Sequence, residues 1–299
     1  MNYIKVSEAA EKWGISARRV RLLCSNGKIE GVIQKGKLYY IPENAEKPAD
    51  GRVKKKRISF SKIDGLKAEL SNFRLLTHGE LERLQEEFMI EFTYNSNAIE
   101  GNTLTLQETA MALEGITIDQ KPLEDHLEAV GHKDAFLYIQ DIVSRNVAFS
   151  ESVIKNVHSL VLMNRPEDKG VYRKVPVRIM GAYAEPVQPY MIEKKMEELI
   201  IKNEERKKTM HPIERLALFH LEFENIHPFI DGNGRTGRLI LNFELMQNGY
   251  PPINVKFTDR KKYYDAFDSY SRNMDSKPMI YLIAEYVEER LIQYLRIIN

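Results

Sequence analysis

Asn225-Ile226-His227-Pro228-Phe229-Ile230-Asp231-Gly232-Asn233-Gly234-Arg235-Thr236-Gly237-Arg238 is the stretch on which the reading of this chain turns. Before it, Leu216, Phe219, His220 and Phe223 recur at helical spacing and mark one face of an amphipathic helix. After it, Leu239-Ile240-Leu241, Phe243, Leu245 and Met246 are apolar nearly all round, which is the pattern of a buried helix. Asn248-Gly249 followed by Pro251-Pro252 ends that helix. The stretch is therefore a loop between two helices, with its glycines at the N-terminus of the buried one.

That placement favours an anion. The first N–H groups of a helix have no internal partner, and the positive end of the helix dipole lies beside them. Glycine lets backbone approach phosphate oxygens and adopt positive φ. Arg235 and Arg238, three apart on the first turn, are expected to share a face and grip a polyphosphate. Asp231 offers a hard oxygen for Mg²⁺. His227, at the end of the preceding helix, can take a proton near neutral pH.

Other readings fit less well. Residues 232–237 satisfy G-x-G-x-x-G, but a dinucleotide fold needs a strand before that loop, and here a helix and Pro228 precede it. No G-x-x-x-x-G-K-[ST] occurs. His220, Glu224 and His227 have a spacing that could bind a transition metal, although a lone helical histidine is more often packed and hydrogen-bonded. A Gly-rich helix start with two solvated arginines is the blandest alternative. The crowding of His, Asp, Asn and two Arg into one loop argues against it.

His227–Arg238 resembles the Fic family signature, H-x-F-x-[DE]-G-N-G-R-x-x-R, at every defined position. The likeness extends through Gly249-Tyr250-Pro251-Pro252 and Tyr263-Tyr264, covering about residues 60–295 in layout. The resemblance implies AMP transfer from Mg-ATP to a Ser, Thr or Tyr hydroxyl of a target protein, or of the chain itself. His227 would be the general base and Asp231 the Mg²⁺ ligand. Gly232, Asn233 and Gly234 would form the anion hole, with Gly237 in the same loop. Arg235 would support the phosphates and Arg238 would contact the γ-phosphate. Tyr263 corresponds to a family aromatic near the adenine, with Tyr264 beside it.

Ser96-Asn97-Ala98-Ile99-Glu100-Gly101-Asn102 resembles the family's inhibitory pattern, [ST]-x-x-x-E-[GN], upstream of the catalytic loop. A carboxylate aimed at Arg238 would occupy the guanidinium and repel the γ-phosphate. Glu100 is thus expected to be a brake, and in a second hypothesis to position water for removing AMP. Residues 171–189, with Val175, Val177, Ile179 and Val187 between Gly181, Pro186 and Pro189, read as a β-hairpin. The segment near 175–188 resembles the family's flap, whose edge would pair with the target. Gly181 and Ala182 would touch the nucleotide.

The rest of the body, residues 60–299, has helical periodicity, with the inhibitory helix at about 90–101. The head, residues 1–42, reads as helix, tight turn, helix and wing. Ser7 and Ser16 are candidate caps, Gly14 and Asn26-Gly27 are breaks, and a hairpin turns at Lys35-Gly36-Lys37. It resembles the MerR and excisionase type of winged helix-turn-helix, which implies DNA contacts from Arg18, Arg19 and Arg21. A docking module is the alternative, and steep loss of DNA affinity with salt would separate the two. Residues 43–59 form a linker carrying the basic run Lys54-Lys55-Lys56-Arg57.

Residues 1–57 hold 14 Lys/Arg against 6 Asp/Glu, whereas the remainder holds 30 against 37, so two units with different partners are expected. Cys24 is the only cysteine, which excludes an intrachain disulfide and a cysteine zinc site. No window approaches the ~18 apolar residues of a membrane span, and nothing resembles a signal peptide. The expectation is a mainly α, cytoplasmic enzyme with no membrane partner. A DNA-binding regulator whose body only senses nucleotide is the rival.

Overall fold

A computed structural model describes residues 2–36, 38–47, 59–72, 78–179, 183 and 185–298, with backbone alone at 78–82. The chain divides into two compact units, Met1–Ile58 and Ser59–Asn299.

In the first unit, β1 (Tyr3–Lys5), α1 (Val6–Trp13), α2 (Ala17–Ser25), β2 (Ile33–Lys35) and β3 (Leu38–Pro42) follow in order. The sheet runs β1-β3-β2, antiparallel throughout, with Ile4 opposite Ile41 and Gln34 opposite Tyr39. Ala9, Trp13, Val20, Leu23 and Ile41 form its core. Strand β1 was not foreseen, because three residues are too few to show a period of two. It also moves the helix start: α1 begins at Val6, ahead of Ser7, and Glu8 caps it by accepting the Lys5 N–H at 2.8 Å. Gly14, with φ 62°, closes α1, and Ser16 Oγ accepts the Arg19 N–H at 3.3 Å to start α2. Lys37 and the Lys54–Arg57 run lie outside the described residues.

The second unit is helical: α3 (Ser61–Asn72), α4 (His78–Glu100), α5 (Leu106–Leu113), α6 (Leu123–Ser144), α7 (Glu151–Val161), α8 (Ile192–Arg206), α9 (Pro212–Ile226), α10 (Asn233–Gln247), α11 (Arg260–Asn273) and α12 (Lys277–Ile298). Helix α10 is buried along its length and packs on α9, α6, α7 and α4. Phe92, Phe136, Phe223, Phe229 and Phe243 meet there in one core. Truncating any of these to Ala would cost about 3–5 kcal/mol. Helix α5 is fixed by a capping box: Thr105 Oγ1 accepts the Glu108 N–H at 3.2 Å, and Glu108 accepts the Thr105 N–H at 2.8 Å.

Residues 171–189 depart from expectation. Among the described residues, no strand pairing joins 175–179 to 185–188. A buried guanidinium bridges the two limbs instead: Arg173 donates to the carbonyl of Val175 at 3.0 Å and to that of Val187. Pro176 and Pro186 cannot donate to a ladder, which accounts for the substitution. Gly181 and Ala182 lie outside the described residues.

Candidate functional site

Helix α9 ends at Ile226, and His227 follows in the left-handed region with φ 51° and ψ 62°. The loop beyond it is latched from two sides. Asn233 Oδ1 accepts the Phe229 N–H, and Asn233 Nδ2 donates to the Phe229 carbonyl, each at 2.9 Å. His158 accepts the Gly170 N–H at Nδ1 (2.8 Å), so Nε2 carries the proton that bonds the Asp231 carbonyl at 3.0 Å. Its ring stacks on Phe229 with centroids 3.6 Å apart. Burial pushes the His158 pKa down to about 4, which keeps it in this neutral, directional form.

Gly232, with φ 72°, is the N-cap of α10. The amides of Asn233, Gly234 and Arg235 follow, with no preceding carbonyl of their own helix to bond. Glu100 lies close beside Gly234. A Cβ on Gly234 would fall 2.2 Å from Glu100 Oε1 and 3.1 Å from Arg238 Nη1. The carboxylate therefore lies beside the first turn of α10, held there by Arg238.

Arg238 is almost fully buried. Its Nη2 donates to Glu100 Oε1 and to the Ser96 carbonyl, both at 2.7 Å, and its Nε donates to Ser96 Oγ at 3.0 Å. Burial opposes its charge, but Glu100 and Tyr263 outweigh that and hold its pKa above the ordinary arginine value. Arg235, equally buried, turns to α6 and pairs with Glu128 Oε1 at 2.7 Å, with Asp231 Oδ1 farther off at 3.7 Å. The two arginines thus do not form one grip. Each of these two guanidinium groups has its own carboxylate, because a buried charge left without partners would be strongly unfavourable. Glu128 also accepts from Asn102 Nδ2 at 2.9 Å, which ties the segment after Glu100 to the phosphate loop.

Two assignments change character. The Asn233 side chain is spent on Phe229, so only its backbone amide faces the anion position. Gly237 faces α9 rather than a ligand: a Cβ there would meet Glu224 Oε1 at 2.8 Å and the His220 ring at 2.9 Å. Gly237→Ala is expected to destabilise the fold by about 1–3 kcal/mol through overpacking, read as a lowered urea midpoint. An unchanged midpoint would contradict that close approach.

A cleft of about 560 Å³ opens beside this helix end, lined by Glu100, Glu224, His227, Gly234, Arg238 and Tyr264 among others. His227 Nδ1 faces Glu224 Oε2 at 3.6 Å, too far for a hydrogen bond. Tyr263 lines the cleft but is almost fully buried, its hydroxyl 2.6 Å from His220 Nε2 and 3.4 Å from Arg238 Nη1. Tyr264 is 40% exposed and lies under the Arg260 guanidinium, so it is the tyrosine a planar ligand could reach. The Asp231 side chain is 40% exposed. Its Oδ1 takes the Gly232 N–H at 2.6 Å, and its Oδ2 lies 3.4 Å from Arg165. His220 is committed to Tyr263. Among the described residues, no cluster of His, Cys, Asp or Glu could hold a metal by itself, so His220, Glu224 and His227 do not form a transition-metal site. In the other unit, Arg18 and Arg21 are exposed on α2 and Arg19 is partly so.

Burial pushes His220 down to about 3. Its folded pKa lies below its ordinary value near 6.5, so between those values the unfolded chain binds a proton that the folded chain refuses. Stability is expected to fall as pH drops from 6.5 toward 3. His220→Gln, which keeps an acceptor for Tyr263, should flatten the dependence of the urea midpoint between pH 7 and 4.5. An unaltered slope would remove His220 as its source.

Glu128, His158 and Arg173 were not found from sequence. None lies in a motif, and only the folded contacts reveal them.

The comparisons agree with this geometry. Residues 148–245, which include His158, His227 and the whole loop, match the Fic/DOC family. The chain is 34% identical over 222 residues to protein adenylyltransferase Fic of Drosophila melanogaster, covering 73% of this chain and 44% of the fly protein. It is 33% identical over 240 residues to the protein of the same name from Culex quinquefasciatus, covering 79% and 47%. The chain thus spans less than half the length of these relatives. In three dimensions it is similar to Fic-1 from C. elegans, with a TM-score of 0.71, 29% identity, and 79% and 71% of the two chains covered. It is also similar to a Fic domain-containing signaling protein from Bacteroides thetaiotaomicron, with a TM-score of 0.73, 27% identity, and 79% and 96% covered. Among the described residues, no helix is long and apolar enough to cross a membrane. With its loop and the helix on either side inside the matched stretch, the chain carries a Fic domain over residues 148–245.

Proposed function

We propose that this chain is a protein adenylyltransferase that moves AMP from ATP to a Ser, Thr or Tyr hydroxyl of a protein, and that Glu100 restrains it. The observation that carries the reading is the Glu100 carboxylate lying 2.7 Å from Arg238 beside the start of α10. A carboxylate there stands in for a phosphate. The name shared by the relatives, protein adenylyltransferase, favours transfer over a body that only senses nucleotide.

When Glu100 withdraws, the first amides of α10 and the Arg238 guanidinium are left facing the polyphosphate. Nε2 of His227 takes the proton of the target hydroxyl. The hydroxyl oxygen bonds to the α-phosphorus, the bond from that phosphorus to the bridging oxygen breaks, and pyrophosphate leaves. Most of the catalysis is positioning and charge stabilisation. Asp231 is the residue that would hold Mg²⁺: a single half-exposed carboxylate beside a phosphate site suits an ion that binds through one or two carboxylates plus phosphates. Such an ion supplies neutralisation of phosphate charge. The limbs 175–179 and 185–188 present the target as a flap, by main-chain pairing. The first unit acts as a winged helix-turn-helix, with Arg18, Arg19 and Arg21 of α2 toward DNA phosphates.

Intact-mass spectrometry of Glu100→Gly after incubation with Mg-ATP tests the chemistry. A gain of one AMP is expected. No gain on the chain or on any added protein would end the transferase reading.

A further inference from the structure

Arg173 is 5% exposed, and among the described residues it has no carboxylate partner. It is spent on backbone instead. Its Nε donates to the His227 carbonyl at 2.8 Å, Nη1 to the Val175 carbonyl at 3.0 Å, and Nη2 to the carbonyls of Val187 and, at 3.4 Å, Ile226. Its own amide bonds the Pro228 carbonyl at 3.0 Å.

These acceptors belong to two places. Ile226 and His227 supply carbonyls at the C-terminus of α9, which no intrahelical N–H can satisfy and which a cation suits. Val175 and Val187 lie on the outgoing and returning limbs of the segment 174–189. A rigid planar fork on one side chain therefore fixes both limbs to the backbone of the histidine that lines the cleft. It also braces His227 in the left-handed region, a conformation that persists only when its surroundings over-determine it.

We propose that Arg173 is a positioning residue that sets the docking limbs and the His227 imidazole in one frame, so that a hydroxyl carried on the limbs arrives at the base and not beside it. This rests on the transferase reading. Arg173 does not line the cleft, so it acts through His227 and the limbs and not through the nucleotide. Lysine cannot replace it, because one ammonium cannot span carbonyls on three segments as the fork does.

The test uses the full chain as Glu100→Gly, alone and combined with Arg173→Lys or Arg173→Gln. Three measurements are made: ATP affinity by calorimetry, transfer of labelled AMP to a His227→Ala copy of the chain, and hydrogen exchange. Both double variants should keep ATP affinity within about twofold. The maximal transfer rate should fall about a hundredfold, as expected for displaced reacting groups. Exchange should quicken together in 174–189 and 225–231, and not in α6 or α12. A transfer rate within threefold of the parent, or loss of ATP affinity in step with the rate, would overturn the proposal. Exchange that quickens in only one of the two segments would do the same. If the Glu100→Gly parent transfers no AMP, the transferase reading falls on that result alone, while exchange still decides whether Arg173 couples the two segments.

Discussion

On the proposed transferase reading, Glu100→Gly is expected to raise the initial rate of AMP transfer about ten- to a hundredfold over wild type. The magnitude follows from the contact that is lost. A hydrogen bond between charged groups is worth about 1.5–3 kcal/mol, and every 1.4 kcal/mol is about a factor of ten. The Glu100 carboxylate holds Arg238 Nη2 at 2.7 Å and lies close beside Gly234, so it both occupies the guanidinium and places a negative charge beside the start of α10. ATP affinity should rise by the same order. The variant should also unfold more easily, because Arg238 keeps only Ser96 and a long contact to Tyr263. Label incorporation, calorimetry with ATP and thermal unfolding read the three effects. Equal labelling of wild type and variant would show that Glu100 does not restrain the site.

In the Glu100→Gly background, loss of the His227 imidazole is expected to lower the transfer rate by about 10²–10⁴-fold, the range for a general base. The choice of substitution matters, since residue 227 has φ 51°. Alanine there adds about 1–2 kcal/mol of backbone strain, whereas asparagine tolerates the left-handed region. His227→Asn therefore separates the lost proton acceptor from a disturbed loop. ATP affinity should stay within about twofold, because the phosphate donors are the α10 amides and Arg238. A rate loss under tenfold in His227→Asn, or collapse of ATP binding with an intact fold, would remove the imidazole as the base.

The sequence foretold the loop between helices because its glycines interrupt two strong apolar periodicities at 216–223 and 239–246. It also foretold the pairing of Glu100 with Arg238, since that rested on a resemblance in which both residues are defined. It misplaced what depends on through-space competition. Arg235 and Arg238 satisfy helical spacing for a shared face, yet carboxylates on α6 and α4 claim one each. Gly237 looks like a phosphate glycine, but its need for no side chain comes from α9. Tyr263 and Tyr264 are adjacent in sequence and opposite in exposure, which no local pattern could decide. Among the described residues of 171–189 no strand pairing forms: alternating valines signal a strand, while the hold of Arg173 on both limbs is invisible without the fold. Strand β1 was missed for lack of length.

The Glu100–Arg238 contact joins two parts of one polypeptide, and that has a consequence for dose and control. A tethered competitor is present at an effective concentration of about millimolar or more, and dilution of the protein leaves it unchanged. On the proposed reading, ATP would therefore meet an apparent affinity weakened by the fraction of molecules in which the carboxylate has swung away. Small shifts in that fraction would set the output at a given ATP level, so an effector would need only to alter how often α4 lets go, without ever entering the cleft.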